Sequence, residues 1–179
     1  MKKTVCCFLL ATMIAMVQYP ALAASRQWTD NGRVINDTMG AIERTPPISC
    51  VMTDTNGIRY TINAFADARN AADTYKNIYL QKTDQSDGSA DWGNDINGDG
   101  INDGINISTG YVYSTGQYDM IADGSNVIVA WTDARDGNHN VYVQKIDEDG
   151  NSVWASGGVP ACTESNIQDN PKCNFVVSG

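Results

Sequence analysis

Residues 131–154 read WTDARDGNHNVYVQKIDEDGNSVW, and a weaker copy, AFADARNAADTYKNIYLQKTDQSDGSADW, stands at 64–92. NIYLQKTDQSDGSADW (77–92) aligns with NVYVQKIDEDGNSVW (140–154), one residue shorter in the second copy, and FADAR (65–69) aligns with WTDAR (131–135). Trp28, Trp92 and Trp154 are separated by 64 and 62 residues, and each precedes a glycine-containing turn: WTDNG, WGNDINGDG and WASGG. Looser echoes stand at 116–126 (GQYDMIADGSN) and 166–171 (NIQDNP). A period of this length is the signature of stacked copies of one supersecondary unit.

The chemistry inside the unit is that of strands. VIVAW (127–131) and VYVQKI (141–146) are β-branched and aromatic, and NIYLQK alternates. Their separators (DG, NG, DGN, GG and SDG) are turn formers. VIVAWTDARDGNHNVYVQKI therefore reads as two antiparallel strands joined by a polar loop, with a third strand after DEDGNS near Val153 and Trp154. No long stretch after the first residues has helical periodicity. The expected fold class is all-β, built of antiparallel propeller-type units of three or four short strands.

The opening residues read as a targeting segment. MKK is basic, VCCFLLATMIAMV is an apolar run of signal length, and Ala21–Ala23 supplies small residues for a peptidase. The expectation is a signal peptide, 1–23, cleaved after Ala23, and a secreted product. The run is short for a bilayer anchor, which needs about 20 apolar residues. No later segment is apolar enough to span a membrane. Loss of Lys2 and Lys3 leaves 10 basic residues against 21 acids, a net charge of −11. That surface repels phosphate backbones and argues against nucleic acid, while it suits either cation binding or simple solubility. Three cysteines follow the signal: Cys50, Cys162 and Cys173. Export permits a disulfide, and Cys162 with Cys173 is the nearest pair in sequence, though spacing alone does not establish a bond.

The pattern W-x-D-x-R, polar loop, (I/V)-Y-x-Q-K-x-D-x-x-G-x-x-x-W resembles the blade repeats of secreted bacterial β-propeller proteins, in the broad sialidase-like and WD-repeat-like group. The resemblance covers roughly Trp28 to the C-terminus and speaks for architecture more than for activity. It implies a partial unit at 24–64, a unit at 65–130 and a truncated unit at 131–179. About two complete repeats fall short of the roughly 4–8 blades that close a propeller. The expectations are an incomplete propeller lacking blades, several chains assembled into a ring, or a small open sandwich, with marginal stability for an isolated pair.

Asp67 with Arg69, and Asp133 with Arg135, recur at one strand end of each unit. Such a rim can bind an anionic or sugar ligand. Repetition in every unit favours instead a pair that hydrogen-bonds the neighbouring turn. Trp92, Trp131 and Trp154 read in the same way as packing before they read as a sugar platform. The sharpest local motif is DINGDGINDGIN, 95–106, within an inserted Asp/Asn/Gly loop at 94–106. Asp95, Asn97, Asp99, the carbonyl of Ile101, Asp103 and Asn106 fall at loop positions one, three, five, seven, nine and twelve, with Gly100 at the bend. The spacing resembles the D-x-N-x-D-G loops of EF-hands, dockerins and thrombospondin type 3 repeats, with Asn106 in place of the bidentate Glu. Calcium is the cofactor this implies, at about 10⁻⁴–10⁻³ M; the same residues also make ordinary turns.

His139 is the only histidine and sits in the loop DGNHN, read as solvated, with no nucleophile marked beside it. One His and three scattered Cys do not make a zinc site. The six arginines of the mature chain are Arg26, Arg33, Arg44, Arg59, Arg69 and Arg135, and the repeat engages two of them. The reading is a secreted non-enzymatic repeat module, binding or structural, with an extracellular protein or glycan, or further blades, as partner. The alternative is a fragment of a carbohydrate-active, sialidase-like enzyme whose catalytic residues lie on missing blades.

Overall fold

Short β-branched phrases bracketed by Asx-Gly turns fold as hairpins. The computed structural model describes residues 47–67, 75–95, 101–108, 112–113 and 117–174. The signal segment, Trp28, Arg69, Asn97 and Asp99 lie outside the described residues. Nine strands run in order: β1 (Ile48–Thr53), β2 (Arg59–Asp67), β3 (Tyr75–Asp84), β4 (Ile105–Asn106), β5 (Val112–Tyr113), β6 (Tyr118–Asp123), β7 (Asn126–Asp133), β8 (Asn140–Ile146) and β9 (Val159–Cys162). All pairings between them are antiparallel, and no helix occurs among the described residues. The first four strands form one four-stranded sheet and the last four another. β5 joins them by pairing with both β3 and β7. The described residues form no closed barrel.

The repeat holds at the level of register. Phe65 opposes Tyr79 and Asp67 opposes Asn77, as Trp131 opposes Tyr142 and Asp133 opposes Asn140. Each sheet begins upstream of its repeated phrase, at Ile48 and at Tyr118, so Phe65 and Trp131 lie inside β2 and β7.

The two sheets share one apolar core, with Met52, Ile62, Ala64, Ile78, Leu80 and Trp92 from the first and Val127, Val129, Trp131 and Ile146 from the second. Side chains alternate across a strand, so the opposed pairs Ile62/Lys82, Ala64/Leu80 and Ala66/Ile78 share one face. Lys82 reaches the second unit from that face, so it is the one that looks toward the second sheet. Full burial of a side chain such as Ile78 or Leu80 contributes about 1.5–3 kcal/mol. The turns are set by aspartate. Asp147 Oδ1 accepts the N–H groups of Asp149 (3.1 Å) and Asn151 (2.8 Å), and Asp54 Oδ1 does the same for Asn56 and Ile58.

Candidate functional site

Gln81 and Gln144, the Q of each Q-K phrase, are fully buried. Gln81 Oε1 accepts the backbone N–H of Trp92 at 2.9 Å, and its Nε2 donates to the carbonyl of Asn102. Gln144 Oε1 accepts the N–H of Trp154 at 3.2 Å, and its Nε2 donates to the carbonyl of Ala155 at 2.8 Å. A carboxamide offers an acceptor and donors in one group, so it can bridge two main-chain segments. The sequence showed the Q-K repetition but did not disclose this role. A polar residue repeated at the same position of an alternating strand phrase was the signal.

The second recurring pair is also held internally. Asp133 is fully buried at the end of β7. Its Oδ1 accepts the Arg135 N–H at 2.8 Å, and its Oδ2 accepts Trp131 Nε1 at 3.1 Å and the Arg135 guanidinium at 2.5 Å. The same guanidinium donates to the carbonyl of Gly157 at 2.8 Å and lies 3.8 Å from the Tyr142 ring centroid. Burial, and then the hydrogen bond its hydroxyl donates to Asp136, push the Tyr142 phenol up to about 12. Asp67, the counterpart of Asp133, is buried at the end of β2.

The inserted loop leaves the first unit directly after Trp92, where the second unit runs straight on. Its base is pinned: Asp103 N–H donates to the Asn94 carbonyl (3.1 Å) and Gly104 N–H to the Trp92 carbonyl (3.1 Å). Asn102 Nδ2 donates to the carbonyls of Ala90 and Asp91. Gly93 and Gly104 meet at this neck. A Cβ on Gly93 would stand 2.3 Å from the Gly104 carbonyl oxygen, and its φ of 90° suits glycine. Among the candidate calcium ligands, Asp95 is exposed, Ile101 half-buried and Asp103 fully buried. Asn106 is exposed in β4, and its Oδ1 accepts the N–H of Ser108 at 3.1 Å.

Trp92 and Trp154 differ. Trp92 is 4% exposed and its indole N–H donates to the Glu148 carbonyl at 3.3 Å, whereas Trp154 is 36% exposed. Of these two tryptophans, read from the sequence as core or inter-blade packing, Trp92 joins the apolar core and Trp154 stands exposed. Glu148 continues the contact. Its carboxylate accepts the N–H and hydroxyl of Thr55 at 2.7 and 2.8 Å, and its carbonyl accepts Lys82 Nζ at 3.0 Å.

His139 is not merely solvated. Its Nδ1 lies 3.2 Å from Asp169 Oδ1, and its carbonyl accepts the Gln168 N–H. These bonds hold residues 163–174 across one end of the second sheet, where the Cys173 N–H reaches Asp119 of β6 at 3.1 Å. Cys162 lies on β9 at the opposite edge, with two strands, β7 and β8, between it and β6. Strands spaced about 4.8 Å apart put that beyond disulfide reach. All three thiols are free. Burial pushes the Cys50 thiol up to about 11.

No protein-family model, curated protein or solved structure matches this chain.

Proposed function

We propose that this chain is a secreted, non-enzymatic repeat module of the propeller-blade kind, binding or structural in role, whose long connection after Trp92 is stabilised by calcium. One observation carries the reading. The polar residues that recur in both units are bonded to the units' own turns, as Gln81 and Gln144 are to the segments after each tryptophan. Arg135 is bonded in the same way, to Asp133 and the Gly157 carbonyl. Arg135 is thus engaged within its own unit, and a sialidase-like fragment would have to take its substrate-binding arginines from elsewhere.

The loop suits a hard cation by its donors. Asp95, Asn97, Asp99, Asp103 and the Ile101 carbonyl supply oxygens, and Asn106 Oδ1 keeps one lone pair beside its bond to Ser108. Bound calcium would supply charge neutralisation and a fixed loop shape rather than chemistry. Calorimetric titration of calcium into the full chain tests this. Binding at about 10⁻⁴–10⁻³ M, with a raised Tm and both effects absent from the double variant Asp95→Ala/Asp99→Ala, is the expected result. No calcium effect would reduce the loop to a turn. Turnover of aryl glycosides by the full chain would overturn the non-enzymatic reading.

A further inference from the structure

Two turns of the chain are built alike and meet each other. Asp54-Thr55-Asn56-Gly57 lies between β1 and β2, and Asp147-Glu148-Asp149-Gly150 follows β8. In each, the glycine N–H donates to the carbonyl of the first aspartate, at 3.0 and 3.1 Å. In each, the Oδ1 of that aspartate accepts the N–H groups two and four residues on. The two glycines share a left-handed backbone, at φ 83° and 86°. The Glu148 carboxylate then holds Thr55 by its N–H and its hydroxyl, at 2.7 and 2.8 Å.

The turns differ at one chemically reactive position. Where the second has Asp149, the first has Asn56, and glycine follows in both. The chain has three Asn-Gly pairs, and Asn56–Gly57 is the one among the described residues. Asn56 and Gly57 are both exposed. A Cβ on Gly57 would meet nothing within 4 Å, whereas one on Gly150 would stand 3.2 Å from the Trp92 indole. Glycine has no side chain to shield its own nitrogen. An exposed turn also opens locally at little cost, which frees the Gly57 N–H from the Asp54 carbonyl. The Gly57 nitrogen can then reach the Asn56 carboxamide.

We infer that Asn56 is a site of spontaneous deamidation, and that its isoaspartyl product releases Thr55 from Glu148. The Gly57 nitrogen attacks Asn56 Cγ. A C–N bond forms, the Cγ–Nδ2 bond breaks, and Nδ2 leaves as ammonia, taking the amide proton with it. Water then opens the cyclic imide. Cleavage at Cγ gives an aspartyl residue. Cleavage at the main-chain carbonyl gives an isoaspartyl residue, whose backbone is one carbon longer. The aspartyl form fits the turn, since Asp149 stands at that place in the second one. The longer backbone lies between Asp54 and the two N–H groups it accepts from Gly57 and Ile58, so it throws those bonds out of register. Thr55 lies inside the same turn and moves with it. Neither the calcium loop nor the blade-like assembly enters this chemistry.

Incubation of the full chain in mildly alkaline buffer tests the site, read by peptide mapping and by isoaspartyl methyltransferase labelling. Position 56 should convert ahead of Asn151, which precedes Ser152 in the second turn. An Asn56 that outlasts Asn151 overturns the assignment. Urea unfolding of the aged chain tests the release. Its midpoint should fall as the isoaspartyl content at position 56 rises, while Asn56→Asp should keep most of the parent's midpoint. A fall as large in Asn56→Asp overturns the release, because the effect is then one of charge. In a Glu148→Ala background the isoaspartyl residue should lower the midpoint less, since the contact it breaks is already gone. An equal shift in both backgrounds also overturns the release.

Discussion

Gln81 accepts the backbone N–H of Trp92 at 2.9 Å across eleven residues of sequence, and Gln144 repeats that bond to Trp154. The pair links the third strand of each sheet to the chain that leaves it. Gln81→Leu keeps the volume and removes both partners of main-chain groups near a buried tryptophan. The expected loss is about 2–3 kcal/mol in urea unfolding, since unmet buried polar groups cost about 1–3 kcal/mol. Gln144→Leu should cost less, because water reaches the segment around the half-exposed Trp154.

Asp133 gathers Trp131 and Arg135 in a fully buried position. Asp133→Asn leaves the Arg135 guanidinium without its counter-charge. Removing one partner of a buried pair costs about 3–5 kcal/mol, and the part-exposed arginine places this variant at about 3 kcal/mol. Thermal unfolding of the variant beside the parent measures it.

Tyr142 titrates upward. Burial first, then the hydrogen bond to Asp136, raise its phenol from 10.0 to about 12. The folded value lies above the unfolded one, so folding favours the neutral phenol. That stabilisation is complete below pH 10 and is lost as pH rises through about 12. The urea midpoint of the parent should therefore fall more steeply over this window than that of Tyr142→Phe.

Gly93 holds the neck of the inserted loop. Gly93→Ala places a methyl 2.3 Å from the Gly104 carbonyl oxygen at a φ of 90°. Both the contact and the backbone oppose it, so the expected cost is about 2 kcal/mol or more. Calcium affinity should fall with it, because the loop base supports the oxygen donors. Calorimetry and thermal unfolding on the same preparation read both effects.

Much of the fold was legible because its signals are local. The alternation in NVYVQKI, the Asx-Gly turns and the repeated phrases place β3, β7 and β8, and the extra residues after Trp92 show as an insertion. The start of each sheet was not legible, because ISCVMT in β1 and YDMIAD in β6 have no common phrase. Nor could the exposure of Trp154 be read. It is set by what packs across the sheet, and the two tryptophans stand in nearly the same local sequence. The structural role foreseen for Asp133 and Arg135 rested on repetition, and the geometry supplies its bonds. The roles of Gln81 and Gln144 needed the folded chain, since only packing shows which polar strand positions are buried. His139 likewise meets Asp169 through a chain segment that no local pattern announces.

The central claim is that one sequence unit is used twice, with its tryptophan buried against a neighbour's turn at Trp92 and exposed at Trp154. Urea unfolding of Trp92→Ala and Trp154→Ala, measured together in the full chain, tests it most directly. A buried tryptophan truncated to alanine costs about 3–5 kcal/mol. The account predicts a loss of that size for Trp92→Ala and under about 1.5 kcal/mol for Trp154→Ala, as its partial burial implies. Equal losses at the two positions would contradict it.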